Sequence, residues 1–253
     1  MFTYERHHRI LQILEKNPSV RVSDLSSSLG VSEATVRRDL DRMHETGQIR
    51  RIHGGAVLVL KSTPEAPVLQ RSTDCSEEKR RIGVLAATLV ADGDTIFIGS
   101  GSTTQEVVRN LVGRQNLTVI TNALTVVNLL SQEDGISLVV TGGLLRSSEL
   151  SFIGHLTEQA LRELRPQKVI MGIRAISLDE GLTNDYLPEV STDRVIIQSA
   201  PEVILVADHS KFGQVSTALV APIAAVNTLV TDSAVDPEVL TGLRELIVNI
   251  LIA

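Results

Sequence analysis

The chain has 253 residues, 43% of them hydrophobic and 21% charged, with a formal net charge of −6. That length and balance fit a globular protein with one large domain, or one of ordinary size plus a small one. No apolar run approaches the ~20 residues of a membrane span, and the single cysteine, Cys75, excludes an internal disulfide and a cysteine cluster for zinc.

Cys75 itself reads as a buried or incidental thiol. The opening residues, MFTYERHHRI, lack the apolar core of a secretory signal, so a cytoplasmic protein is expected. Charge is unevenly placed. Residues 1–60 hold nine Arg/Lys against seven Asp/Glu, a balance of +2, and the remainder carries −8. Four of the six histidines also fall in the first sixty residues. An acidic body with a mildly basic head is the pattern to examine for nucleic-acid binding.

The head predicts short helices. Ile10, Ile13 and Leu14 recur at helical spacing over residues 5–16 until Pro18. VSDLSSSLG offers Leu25 and Leu29 and closes at Gly30, a residue suited to a helix end with positive φ. Ser32 is an N-cap candidate with Glu33 in the first turn, and Val36, Leu40 and Met43 form one apolar stripe to about Gly47. Two short helices across a tight turn make a helix-turn-helix unit. With the stripe turned inward, Thr35, Arg38 and Arg42 face out, flanked by Arg37 and Asp41. Such a helix fits the major groove, where Arg bridges guanine O6 and N7 and Ser32 and Thr35 reach bases or phosphates. GQIRRIHGGAVLVL then reads as a hairpin, or wing, turning through Gly54-Gly55 and carrying Arg50, Arg51 and His53 toward phosphates. The bland alternative is a solvated helix whose arginines pair with Glu33, Asp39 and Asp41. The ordered series of helices and basic hairpin favours double-stranded DNA.

Residues 58–78 mix proline, serine, threonine and charge and read as a connector. The expected division is a winged head over 3–58, a linker over 59–75 and a body over 76–253. In the body, apolar runs at 95–99, 117–121, 137–143, 168–172, 203–208 and 228–232 alternate with helical stretches. That alternation predicts an α/β domain with a mainly parallel sheet covered on both faces.

Ligands of open α/β sheets bind beyond the carboxyl ends of strands, and polar residues follow the strands here. Gly99, Ser100, Gly101, Ser102, Thr103 and Thr104 follow the first, Asn122 the second, and Thr141, Gly142 and Gly143 the third. GIRAI at 172–176 and DHSK at 208–211 continue the series. Glycine permits close backbone approach, and a helix N-terminus offers N–H groups to an anion. Thr104 stands where a dinucleotide fingerprint wants its third glycine, and no lysine completes a Walker A loop. The expected ligand is an anionic small molecule, with Lys211 as countercharge.

Together these motifs resemble the DeoR family of bacterial transcriptional regulators over nearly the whole chain. VSEATVRRDLDRM with GQIRRIHGGA is similar to that family's DNA-binding signature; GSGSTT, TN, TGG and ADHSKFG are similar to motifs of its sensor. The resemblance implies a sensor akin in fold to ribose-5-phosphate isomerase and acyl-CoA transferases. It further implies a repressor of carbohydrate catabolic genes released by a phosphorylated sugar, and a homodimer or homotetramer. No cofactor, metal or membrane partner is expected. Asp208 joins the effector residues through ADHSKFG.

An isomerase of that fold places acidic residues at a strand end as general base. The corresponding stretch, Gly172 to Ile176, has none, and Asp179 and Glu180 follow only in the next loop. The expectation is a pocket that binds without turnover; the alternative is a sugar-phosphate isomerase or transferase with a fused regulatory head. Arg174 reads either as a second anion clamp or as scaffolding paired with Asp185 or Glu189. LTNDYLPEV at 182–190 is expected to close over the pocket, offering Asp185 and Tyr186 to sugar hydroxyls.

Overall fold

Three apolar stripes at helical spacing close the head in the computed structural model, which describes residues 3–17, 19–45, 49–52, 54–58, 65–247 and 249–253. Helix α1 (Thr3–Lys16) contributes Ile10 and Leu14, α2 (Val22–Leu29) Leu25 and Leu29, and α3 (Glu33–Glu45) Val36, Leu40 and Met43. All join one buried cluster with Ile49 and Ala56. Gly30 ends α2 in the left-handed conformation, φ 66°, and Ser32 Oγ accepts from the Thr35 N–H at 3.3 Å, capping α3 as its position predicts. Strands β2 (Ile49–Ile52) and β3 (Gly55–Leu58) form the antiparallel wing, and β3 also pairs with β1 (Ser19–Arg21). His53 and the side chain of Arg50 lie outside the described residues.

Asp39 also faces inward on α3. Arg6 reaches it through Nε at 2.7 Å and through a terminal nitrogen at 3.0 Å, and His7 lies at 3.2 Å. Burial opposes the charge, but the bonds from Arg6 and His7 outweigh it and hold the carboxyl below the usual aspartate range. Asp39 therefore ties α1 to α3 and is not one of the partners open to the outer arginines.

The body begins with α4 (Val68–Arg71) and α5 (Ser76–Ala87) and alternates β4 (Thr95–Ile98), α6 (Ser102–Arg109), β5 (Leu117–Thr121), α7 (Leu124–Leu130) and β6 (Ile136–Val140). A hairpin of β7 (Leu144–Arg146) and β8 (Ser151–Ile153) leads to α8 (His155–Glu163), β9 (Lys168–Met171), β10 (Ala175–Ser177), β11 (Gly181–Asn184) and α9 (Leu187–Gln198). Then follow β12 (Glu202–Val206), β13 (Ala218–Ala221), β14 (Thr228–Thr231), α10 (Pro237–Leu246) and β15 (Asn249–Ile252). Among the described residues the main sheet has the order β15-β14-β12-β9-β4-β5-β6, every neighbouring pair parallel. A small antiparallel sheet, β10-β11-β13, stands apart from it.

The period of two along each strand splits the core between the two sheet faces. Phe97, Val169, Met171, Val203 and Leu205 pack with Leu161 of α8, Val190 and Ile196 of α9 and Leu243 of α10. Ile96, Ile98, Ile170, Ile204 and Val206 pack with Ile82 of α5, Val107 and Val108 of α6 and Val126 of α7. No helix among the described residues is long and apolar enough to cross a membrane.

Close packing of α5 on α6 yields a direct prediction. A Cβ built on Gly83 would stand 2.5 Å from the carbonyl carbon of Glu106, and backbone cannot step aside as a side-chain tip can. Gly83→Val is expected to cost about 1–3 kcal/mol by overpacking, lowering the melting temperature by about 2–4 °C per kcal/mol. An unchanged melting temperature would mean the two helices do not meet this closely.

Chain direction positions the site. From β4 the strands step outward through β5 to β6; the chain then returns to β9 on the other flank of β4 and proceeds through β12 and β14 to β15. The reversal falls between β4 and β9, where connections diverge and leave a crevice at the carboxyl ends.

Candidate functional site

A cavity opens at this reversal. Its floor is backbone: Gly99, Ser100 and Gly101 after β4, and Gly172 and Ile173 after β9. Gly101 has φ 140°, which favours glycine, and no side chain caps the N-terminus of α6 that starts at Ser102. Ser102 and Thr103, both buried, stand beside its first N–H groups, an arrangement suited to an anion.

Three cations converge on one wall: Arg71 at the end of α4, Arg174 after β9, and Lys211 in the 3₁₀ turn His209–Lys211 after β12. All three approach the same oxygen, Oε1 of Glu65, at 2.9 Å for Arg71, 3.0 Å for Lys211 and 3.6 Å for Arg174. Burial alone would raise the Glu65 carboxyl; Lys211, Arg71 and Arg174 outweigh it and hold it below the usual glutamate range. Arg71 also pairs with Glu149. Its backbone is held by buried Lys79, whose Nζ donates to the Arg71 and Asp74 carbonyls at 2.6 Å each.

The rest of the polar lining is acidic and amidic: Glu149, Asn184, Glu189, Asp193 and Asn122. Glu189 accepts from Arg146, from Ser151 Oγ at 3.1 Å and from Asn184 Nδ2 at 3.1 Å. Asn184 Nδ2 also donates to Asp193 at 3.0 Å. Burial, and then the charge of Glu189, push the Asp193 carboxyl well above the usual range; burial likewise raises Glu149. Among the described residues, three buried polar atoms on these walls have no hydrogen-bond partner: Glu149 Oε1, Asn122 Oδ1 and Arg174 Nε. The cavity thus presents two acceptors and one guanidinium nitrogen without a hydrogen bond, the nitrogen standing 3.7 Å from Asp185. Such groups are rare in a folded interior and call for an explanation.

The expected effector residues divide accordingly. Gly99, Ser100, Gly101, Ser102, Thr103, Asn122, Arg174 and Lys211 line the cavity. Thr104 does not; it is fully buried and its hydroxyl donates to the Gly101 carbonyl at 2.8 Å. Thr141, Gly142 and Gly143 stand off the wall too. A Cβ on Gly143 would stand 2.2 Å from Thr157 Oγ1, and that hydroxyl donates to the Gly142 carbonyl, so the glycine pair serves packing on α8. Asp208 accepts from the Ser210 N–H at 3.0 Å and shapes the turn that carries Lys211. Asp185 sits 3.7 Å from Arg174 Nε. Arg174 therefore meets Asp185 as well as the cavity, while Glu189 belongs to Arg146. Tyr186 stacks under Arg146, 4.3 Å from guanidinium to ring centre.

Two expectations need correction. The strand-end stretch 172–176 indeed lacks an acid, but the pocket does not: Glu149, Glu189 and Asp193 reach it from the β7–β8 hairpin and α9, whereas Asp179 and Glu180 do not line it. The stretch read as connector also supplies two lining residues, Glu65 and Arg71. Their only sequence signal is a short apolar pair, Val68-Leu69, between Ala66-Pro67 and the polar Gln70. Cys75 lies with Asp208 and His209, donor atoms within 4.8 Å of one another. Lys79 Nζ, 3.9 Å from Asp208 Oδ2, already supplies positive charge there, and His209 is drawn toward Asp232 at 3.1 Å.

On the head, Ser32, Arg37, Arg38 and Arg42 are exposed along α3 and Thr35 is half-buried. Arg37 pairs with Glu33 at 3.2 Å, and Arg51 of the wing with Asp41 at 3.3 Å. Arg51 also donates to the Arg37 carbonyl, fixing wing against helix. Arg38 Nε donates to the Ala34 carbonyl of its own helix at 3.2 Å.

Comparison with known proteins gives matching results for both parts. Residues 6–62 match the family model of a DeoR-like helix-turn-helix domain, and residues 74–233 that of the DeoR C terminal sensor domain. The chain is 37% identical to the transcriptional repressor AccR of Agrobacterium fabrum, over 91% of this chain and 90% of that one. It is 34% identical to the glycerol-3-phosphate regulon repressor of Escherichia coli, over 90% of each. Among solved structures, ribose 5-phosphate isomerase A of Methanocaldococcus jannaschii is similar over 55% of each chain, at 20% identity and a TM-score of 0.42. A likeness of that size bears on neither chemistry nor ligand.

Proposed function

The chain belongs to the DeoR family, and from that premise we propose that it is a sequence-specific DNA-binding repressor of carbohydrate catabolic genes whose operator affinity is set by a phosphorylated sugar. The observation that carries this reading is the meeting in one cavity of three cations that share one carboxylate oxygen with two acceptors that lack a hydrogen bond. Arg174, Lys211 and Arg71, with the uncapped start of α6, suit a phosphate; Glu149 Oε1 and Asn122 Oδ1 suit sugar hydroxyls, which donate. The printed names of the relatives, one of them a glycerol-3-phosphate regulon repressor, agree with a phosphorylated metabolite as effector. The exposed arginines of α3, with half-buried Arg51 of the wing, supply the DNA contact.

We further read the protein as a cytoplasmic homodimer or homotetramer joined through the body. Paired heads would meet paired half-sites, and Val139, Val140, Leu144 and Leu145, exposed near the open edge of the main sheet, offer apolar surface for self-association. The linker is proposed over 59–75, with the head before it, its later part from Glu65 on packed as part of the sensor that follows.

A thermal-shift panel of phosphorylated sugars tests the effector reading. A ligand at a hundred times its Kd stabilises the folded chain by about 2.7 kcal/mol, so the melting temperature rises by several degrees for a matching sugar phosphate. The unphosphorylated sugar is expected to do nothing, and a panel without a single hit would count against the pocket. The acids on the cavity wall favour one rival, an isomerase or transferase with a regulatory head. Against it, Glu189 and Asp193 are committed to Arg146, Ser151 and Asn184. Incubating the panel with concentrated protein is expected to return every sugar phosphate unchanged; conversion abolished by Glu149→Gln would establish the rival.

A further inference from the structure

We propose that Glu65 is the resident anion of the cavity, a carboxylate carried by the segment between head and body, and that the effector's phosphate takes its seat and releases it. This rests on the reading of the cavity as an anion site. One oxygen of Glu65 holds Arg71, Lys211 and Arg174 together, while the side chain is only 9% exposed. A phosphate monoester brings about −1.5 to −2 charge and three acceptor oxygens, so it satisfies three cationic donors that now share one atom. Carboxylate and phosphate cannot occupy the same few ångströms, since like charges in a partly buried site repel strongly. Occupancy by one excludes the other.

The consequence depends on where Glu65 sits. Only three residues on, Val68 is fully buried and its N–H donates to the Ser148 carbonyl at 2.8 Å. The chain is thus pinned to the body just after Glu65. On the other side, Leu58 at the end of the wing lies seven residues earlier. Seven residues span at most about 25 Å, so the head is tethered closely to whatever Glu65 does. The seat that reads the effector is the seat that anchors the tether.

The test compares the wild-type chain with Glu65→Gln, which keeps shape and removes charge. Inorganic phosphate is the probe, with ionic strength matched by chloride, and DNA is a duplex selected from a random library by the wild-type protein. Phosphate is expected to bind Glu65→Gln about tenfold more tightly, within the 5–150-fold range typical of coupled sites. The affinity of wild type for the duplex changes on saturation with phosphate, whereas Glu65→Gln holds the saturated value with or without it. A variant that folds only when phosphate is present supports the proposal equally, because three cations would then lack their partner; one unfolded in both conditions counts against it. Equal phosphate affinity in both chains, abolished by Lys211→Ala, leaves the anion site standing and overturns the role of Glu65. Phosphate that binds neither chain overturns the anion site and this inference together.

Discussion

Arg38→Ala lowers affinity for the selected duplex by about 5–150-fold, the discrimination carried by one bidentate arginine–guanine contact, and lowers affinity for unrelated duplex far less. The expectation follows from how α3 is held. Val36, Leu40 and Met43 are fully buried, Asp39 is fastened to Arg6 and His7, and Ser32 caps the start; the helix presents one outer face without room to roll. On that face Arg37 is drawn to Glu33 and Arg51 to Asp41, while Arg38 makes its bond to the Ala34 carbonyl of its own helix. Of these three, Arg38 is the arginine whose fork costs least to aim at a base edge. Binding titrations at several salt concentrations separate the possibilities. A base reader leaves the salt slope nearly unchanged, whereas a phosphate contact reduces it by about one and weakens all duplexes alike. A uniform loss would move Arg38 to the backbone and leave base reading to Thr35 or Arg42.

The head was almost wholly legible because its helices are amphipathic and each stripe reports its own inward face. Gly30 and Ser32 marked the helix ends through backbone demands that few residues meet. The parallel sheet was legible for a related reason: strands buried on both faces read as unbroken apolar runs, as TIFI and LTVIT do. The small β10-β11-β13 sheet was not, since AIS, GLTN and ALVA are short and mixed. The cavity was half legible. Residues directly after β4, β5, β9 and β12 sit where topology puts a ligand, so their positions follow from strand ends alone. Glu149, Glu189 and Asp193 arrive through tertiary packing of the hairpin and α9, and no local pattern marks a carboxylate that will be folded inward. Glu65 and Arg71 were hidden by composition: a segment rich in proline, serine and charge looks like a linker whether or not its charges are buried. Gly142 and Gly143 misled in the other direction, because a strand-end glycine pair serves a helix contact as readily as a phosphate.

Lys211→Ala is expected to leave a chain that still binds the duplex, because Arg71 and Arg174 go on holding Glu65, and to lose the response to the sugar phosphate at concentrations that saturate wild type. Hydrogen bonds to charged groups are worth about 1.5–3 kcal/mol, so loss of this ammonium weakens the effector by about 10–150-fold. Arg71 and Arg174 do not replace it. Arg71 is shared with Glu149, and Arg174 divides its charge between the cavity and Asp185 at 3.7 Å. Position matters as much as charge: Lys211 rides on a turn fixed by Asp208 on the Ser210 N–H and by Asp232 on the His209 N–H at 2.7 Å. Asp208→Asn, which loosens that turn without touching the cavity wall, is therefore expected to weaken the effector by a smaller factor than Lys211→Ala, with the duplex affinity of the unliganded protein unchanged. Measured side by side, the two variants separate an ammonium that grips the ligand from one that only stabilises the loop. Should Lys211→Ala respond as wild type does, the phosphate seat lies elsewhere along the β4–β9 crevice, and the uncapped start of α6 with Arg174 becomes the place to look.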